Sequence, residues 1–342
     1  MHFNRLAGLT LGVAFALGSL LGSAHAETEL SVYTAFENDD LAPYKEAFET
    51  AHPDIKINWV RDSTGVVAAK LLAEKDNPRA DAVWGLAVTN VDYLKSQGIL
   101  EPYIPENATK LEQKFRDSVE PASWFGTSGW ASAIIYNTVE GGKKGIKQPE
   151  TWDDLLDPSL KGQIVMPHPA SSGTGFMYVS AWIQAWGEEK AWAFMDKLHE
   201  NISRYTHSGS APAVLSGRGD TVVGLAFELR GSRLQEEGAP IEIIMPNEAL
   251  GWDLNVFSVV KGTKNLEAAK VLAEWASSDE AMKIYGKTRA IVAMPEFGVQ
   301  LPGVPEDVTQ RILVQDFAWA AQNRDRILAV WEKRYGSKAE PK

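Results

Sequence analysis

Apolar and polar positions alternate along Leu30-Ser31-Val32-Tyr33-Thr34. The period then changes: from Leu41 to Ala51 apolar residues recur at helical spacing, with Asp39 or Asp40 placed as cap. The same strand-loop-helix unit follows twice more. Ile55 to Val60 reads as a strand, Asp62-Ser63-Thr64-Gly65 as a turn, and Val66 to Lys75 as a helix with Leu71 and Leu72 inward. Ala82-Val83-Trp84 ends at Gly85 as a third strand, and Asn90 to Gln97 closes as a helix on Gly98. Strands alternating with helices predict a parallel, doubly wound α/β sheet, whose ligands gather at the carboxyl ends of the strands.

Further on, Trp124-Phe125-Gly126-Thr127-Ser128-Gly129-Trp130 leads into the apolar run Ala131 to Tyr136, the pattern expected where a chain crosses between two lobes. Pro149-Glu150-Thr151-Trp152-Asp153-Asp154-Leu155 reads as a capped helix start, and Ile164-Val165-Met166 as a strand. Phe176 to Trp186, Glu188 to His199 and, more briefly, Ser210 to Ser216 carry helical patterns. Val222 to Phe227 and Ile241 to Met245 read as strands, and Gly251-Trp252-Asp253 enters a return crossing, Leu254 to Val260. Asn265 to Ala276, Asp279 to Lys287 and one long run from Val308 to Arg334 are predicted helical. Trp182, Trp186 and Trp192 fall at helical spacings and read as core.

One stretch organises the rest. His168-Pro169-Ala170-Ser171-Ser172-Gly173-Thr174-Gly175 joins a strand to a helix, so small hydroxyls and the free N–H groups of a helix N-terminus converge where the helix dipole favours negative charge. An ordinary N-cap uses the same residues. The pattern recurs, however, at Asp62-Ser63-Thr64-Gly65 and at Ser208-Gly209-Ser210, each at a predicted strand end.

Composition narrows the setting. A basic residue at Arg5, an apolar stretch from Leu6 to Leu21 and Ala24-His25-Ala26 predict a secretory signal peptide over residues 1–26, cleaved after Ala26. Its removal deletes Arg5 and no acidic side chain, taking the formal charge from -11 to about -12. An acidic exported protein is a poor partner for nucleic acid or anionic lipid. The absence of cysteine excludes thiolate catalysis, iron–sulfur clusters and Cys-ligated zinc, and leaves stability to burial. The length suits two lobes.

The order Val32-Tyr33-Thr34-Ala35-Phe36-Glu37, Pro149-Glu150-Thr151-Trp152-Asp153-Asp154-Leu155, Leu160-Lys161-Gly162, Ser171-Ser172-Gly173-Thr174 and Val259-Val260-Lys261-Gly262 resembles the periplasmic solute-binding proteins of ABC importers. It is similar to their ferric-iron-type branch, which includes binders of iron, thiamine, sugar phosphates and phosphonates. The resemblance implies an α/β, type II periplasmic-binding-protein fold: two doubly wound lobes joined by two hinge strands, closing on a ligand in the cleft. The expected lobes are 27–130 plus 256–305 and 131–255 plus 306–342. It also implies a monomer, an inner-membrane permease as partner, no cofactor and no catalysis. Iron binders of the branch carry a Tyr-Tyr pair where this chain has Ala226-Phe227-Glu228-Leu229-Arg230. Residues 34–39, 62–65 and Trp84-Gly85-Leu86-Ala87 look most like 2-aminoethylphosphonate-binding proteins.

The chemistry of that zwitterion can be matched to residues. Ser63, Thr64 and Gly65, Ser171, Ser172, Gly173 and Thr174, with Ser208 and Ser210, supply anion donors. Glu37, Glu228 and Asp253 are candidate ammonium acceptors, and Tyr33, Phe36, Trp84 or Trp252 candidate cation–π walls. Charge-assisted hydrogen bonds of about 1.5 to 3 kcal/mol each, less association costs, leave about -8 kcal/mol, the micromolar range. Arg61 and Arg230 read as solvated surface charges, and Asp253 serves equally as a hinge acceptor. Two rivals compete. A hydrolase lacks a Gly-x-Ser-x-Gly elbow, a His-Glu-x-x-His motif and a Walker loop. A metal binder would draw on His168, His207 and Glu228. Other organophosphates, such as a sugar phosphate or thiamine phosphate, remain within the preferred class.

Overall fold

The computed structural model describes residues 27–341, and the signal-peptide expectation for residues 1–26 lies outside them. The first three βα units form as the periodicity predicts: β1 (Thr28–Thr34), α1 (Asn38–Ala51), β2 (Ile55–Arg61), α2 (Thr64–Ala73), β3 (Ala82–Ala87) and α3 (Val88–Ser96). β1 pairs in parallel with β2 and with β3, so the ends of all three strands open on one edge. Phe36, Tyr44, Trp84 and Tyr285 pack edge-on and stacked beneath that edge.

β4 (Phe125–Asn137) is buried along its whole length, as a strand covered on both faces must be. It is followed by α4 (Thr138–Lys144), β5 (Ile164–Pro167), α5 (Gly173–Trp186), α6 (Glu188–Asn201), β6 (Ile202–Thr206), α7 (Ala211–Arg218), β7 (Val223–Phe227), α8 (Glu228–Glu236), β8 (Ile241–Ile244) and β9 (Trp252–Val259). α9 (Leu266–Ala276), α10 (Asp279–Gly286), α11 (Val308–Arg311) and α12 (Phe317–Tyr335) complete the chain.

The sheet order is β2-β1-β3-β9-β4-β7-β5-β6, with β8 on β4. β4 ties the two halves together by changing partners: through Ala131 it pairs antiparallel with β9, and from Ser132 onward with β7 and β8. β9 in turn pairs with β3 from Asn255 to Val259. Two α/β lobes with a cleft between them result, as the fold of type II periplasmic binding proteins requires.

Two local expectations change, and one strand is added to them. The run from Val308 to Arg334 is not one helix, because Leu313 N–H donates to Leu250 O and Asp316 caps a new start at α12 through Trp319 N–H. The Pro149–Leu155 start yields only a 3₁₀ turn at Asp153–Leu156, since Asp154 bonds back to the Glu150 and Thr151 amides. β6, with exposed Ser203 and Arg204, is an edge strand that no apolar run announced.

α12 spans the back of the molecule. Its Asp325 accepts from Tyr93 Oη of α3 at 3.2 Å, while Trp331 packs on His168 with ring centroids 4.5 Å apart.

Candidate functional site

The helices α2 and α5 begin directly after strand ends, and both begin with small residues because nothing larger fits there. A Cβ on Gly65 would overlap the carbonyl oxygen of Ala170 and stand 2.9 Å from Ser171 O, and one on Gly173 would stand 2.9 Å from the Ala87 Cβ. Each close approach joins one lobe to the other, and Gly65 N–H donates to Ser171 O at 2.9 Å across the seam. Ser172 caps α5 by accepting from Gly175 N–H at 3.2 Å. The amides of Gly173 and Thr174, as the first two of the helix, therefore have no acceptor within it. Ser63 stands at the same position before α2. Ser208 and Ser210, ahead of α7, lie with their hydroxyls 3.0 Å apart.

These segments enclose one cavity of about 70 Å³, lined by Ser63 and Thr64 from the first lobe and by Ser172, Gly173, Thr174, Ser208, Gly209 and Ser210 from the second. That volume is several times the roughly 10–15 Å³ that one water needs, and the cavity is partly open to solvent, so it takes a compact polar group without confining the rest of a ligand. Helix N-termini from both lobes face it, and their dipoles add in favour of an anion.

Phe36, Glu37, Asp40, Arg61 and Arg289 form the charged side of the cavity, with Trp130, Phe227, Leu229 and Asn255 completing it. Each acid is tied to an arginine. Arg61 donates from Nε to Phe36 O at 2.8 Å and approaches Glu37 to 4.0 Å. Arg289, buried, donates to Asp40 Oδ2 at 2.6 Å and to Tyr44 Oη at 2.5 Å. Burial alone would raise the Asp40 carboxyl, but the neighbouring guanidiniums, Arg289 foremost, hold it below the usual carboxylate range.

Other sequence-derived candidates sit elsewhere. Gly65 and Ser171 form the seam beside the cavity, Ser171 Oγ donating to His207 O at 2.9 Å. Tyr33 donates to Glu74 at 2.9 Å, and burial with that carboxylate pushes its phenol up to about 12. Trp84 is fully buried in the first-lobe core. Trp252 bonds Leu313 O at 2.9 Å and packs on Phe317.

Glu228 is buried and accepts from Ala131 N–H at 2.7 Å, where β4 changes partners. Asp253 accepts from Val88 N–H at 2.9 Å, Leu254 N–H at 2.7 Å and Thr89 Oγ1 at 3.0 Å, stitching β9 to the start of α3. Burial raises both carboxyls to about 7. Neither lines the cavity, so Glu37 and Asp40 are its acids.

Sequence reasoning missed Asp40 as more than a helix cap, and missed Trp130, Asn255 and Arg289. Trp130 and Asn255 lie on the crossing strands, where an apolar pattern hides which residue faces the cleft. Arg289 follows α10 in a segment with no motif, and nothing in its neighbours signals a return to the cleft. Arg61 carried a signal, since it directly precedes the Asp62-Ser63-Thr64-Gly65 turn.

Residues 86–321 match the family described as bacterial extracellular solute-binding protein. Among solved structures, the periplasmic binding protein AfuA from Actinobacillus pleuropneumoniae, with exogenous fructose-6-phosphate bound, is 30% identical, with a TM-score of 0.85 over 91% of this chain and 99% of that one. A probable ABC transporter periplasmic-binding protein of Sinorhizobium fredii is 25% identical over 92% of this chain and 88% of its own. A putative 2-aminoethylphosphonate-binding periplasmic protein of Salmonella typhi is 26% identical over 82% of each chain.

Proposed function

The chain belongs to the bacterial extracellular solute-binding proteins, and from that premise we propose that it captures a small phosphorylated organic solute, a hexose phosphate first, for an ABC importer. It is a transport component and not an enzyme, and family identity supports a periplasmic location. We take it to act as a monomer, with lobes of residues 27–130 plus 256–305 and 131–255 plus 306–342.

The observation that supports this ligand class is the shared cavity. Ser63 and Thr64 at one helix N-terminus and Ser172, Gly173 and Thr174 at another face the same space, beside Arg61 and Arg289. Hydroxyls, free amides and guanidiniums are the donors a phosphoryl group accepts from.

The charge inventory turns the choice away from 2-aminoethylphosphonate, which the sequence put first. An ammonium needs an acid with charge to spare, and here Asp40 is held by Arg289 while Glu228 and Asp253 are occupied with backbone donors. AfuA, 30% identical, was solved with a sugar phosphate, which supports the same order. The aminophosphonate stays as a second reading because Glu37 lines the cavity and is only loosely paired with Arg61. Ferric iron fits poorly: the side chains lining the cavity include no tyrosine or histidine, and no cluster of possible metal ligands occurs among the described residues.

Titration calorimetry with fructose 6-phosphate, glucose 6-phosphate, 2-aminoethylphosphonate, inorganic phosphate and ferric citrate is the test. A hexose phosphate is expected to bind in the micromolar range or tighter and to exceed inorganic phosphate. Heat from ferric citrate alone would end the organophosphate reading.

A further inference from the structure

The cavity's most buried acid is paired across the cleft as well as within its own lobe. Asp40, on α1 of the first lobe, gives one carboxylate oxygen to Arg289 of its own lobe at 2.6 Å and the other to Arg233 Nη2 of α8, in the second lobe, at 2.5 Å. The side chains are 2%, 3% and 12% exposed for Asp40, Arg289 and Arg233. Two further contacts between basic and acidic side chains cross between the lobes, Arg233 to Asp39 at 3.9 Å and His207 to Asp62 at 3.4 Å, and their acids are 68% and 50% exposed, so they contribute little.

We propose that Arg233 is a positioning residue that latches the lobes shut through Asp40, and that an anionic ligand strengthens the latch because its buried chain holds two guanidiniums to one carboxylate.

Asp40 and Arg289 both line the cavity, so the latch and the ligand share a wall. Closing the lobes moves Arg233 out of water onto a carboxylate that Arg289 already neutralises. Asp39 lies 3.9 Å from Arg233 but is 68% exposed, so solvent screens it. The surplus positive charge in the closed cleft is offset when a phosphoryl group enters, and ligand and latch then favour the same state. Nη1 of Arg233 and Nε of Arg289 are buried without hydrogen-bond partners, which fits a closed chain short of acceptors. The anion part rests on the organophosphate reading; the latch itself does not.

The chain has no cysteine, so spin labels on E46C and E237C, exposed positions on α1 and just after α8, report the opening of the cleft by electron–electron distance measurement. In the ligand-free protein, R233Q is expected to deplete the short-distance population about tenfold, and R233K to restore much of it, since lysine keeps the charge. Equal distributions in the unsubstituted protein and R233Q, or failure of R233K to differ from R233Q, would overturn the latch. Fructose 6-phosphate is expected to enlarge the short-distance population where fructose does not, and R233Q to weaken fructose 6-phosphate about 30-fold, chiefly through faster release. A latch that responds to R233Q but not to fructose 6-phosphate would overturn only the anion coupling and the ligand reading beneath it.

Discussion

Gly65→Ala separates closure from folding, because the two effects have opposite signs. In the closed protein the added methyl would overlap the Ala170 carbonyl oxygen, with the Ala170 carbonyl carbon and Ser171 O both at 2.9 Å, where ordinary contact begins at 3.4 Å. The obstacles are backbone atoms of the other lobe, the Ala170 carbonyl oxygen nearest of all, so relief requires the seam to part by about 1 Å or more. That movement weakens the Gly65 N–H to Ser171 O bond and misaligns the amides flanking the cavity. Overpacking of this kind costs about 1–3 kcal/mol and the lost hydrogen bond about 1 kcal/mol, which together weaken ligand binding about 30- to 1000-fold. In the opened, ligand-free protein the same methyl sits near the start of α2 with no obstacle, and alanine in a helix is better than glycine by up to about 1 kcal/mol. Calorimetric titration with fructose 6-phosphate should therefore show a large affinity loss while the ligand-free melting temperature stays level or rises by up to about 2 °C. Affinity within twofold of the unsubstituted protein, or a lower melting temperature with intact affinity, would refute the argument.

Thr174→Val removes a cavity hydroxyl and is expected to weaken fructose 6-phosphate and 2-aminoethylphosphonate alike, by about tenfold, in calorimetric titration; selective loss of one ligand would mean that Thr174 does not face the phosphorus end. Glu37→Gln should reduce affinity for the aminated ligand and leave or improve that for hexose phosphates, and equal loss for both would remove Glu37 from the ammonium role. Glu228 has a folded-state pKa raised by burial from 4.5 to about 7, so its neutral form stabilises the fold below the unfolded value and the contribution fades as pH rises through the folded one. Melting curves of Glu228→Gln should accordingly decline less between pH 5 and pH 8 than those of the unsubstituted protein, by on the order of 3 kcal/mol, and parallel declines would contradict the shift. A chelator such as EDTA should leave fructose 6-phosphate binding unchanged; its loss would return a metal to the site.

Much of this architecture is legible in the sequence because local signals and tertiary demands agree. The first three βα units follow from period changes alone, and Ser63-Thr64 and Ser172-Gly173-Thr174 are legible because a small residue at a helix start serves both capping and close approach. The long apolar run after Trp130 marks a crossing strand for the same reason, being covered on both faces. The acids are where sequence reading and structure diverge. Glu228 and Asp253 stand at strand or helix ends like Glu37, yet their carboxylates satisfy backbone N–H groups that the switch in β4 and the start of α3 would otherwise leave unpaired. Only the three-dimensional path decides which carboxylate is spent on the scaffold. Arg289 lies about 250 residues from Asp40 in sequence, and no periodicity reports a contact of that range.

The central claim is that helix N-termini from both lobes hold one phosphoryl group together. Titrating ¹⁵N-labelled protein with fructose 6-phosphate and following the amides of Thr64, Gly173 and Thr174 tests it directly. All three resonances should move downfield at one common ligand concentration, as amides do on gaining an anionic acceptor, and fructose should leave them in place. Movement confined to one lobe, or binding that leaves all three unshifted, would contradict the account.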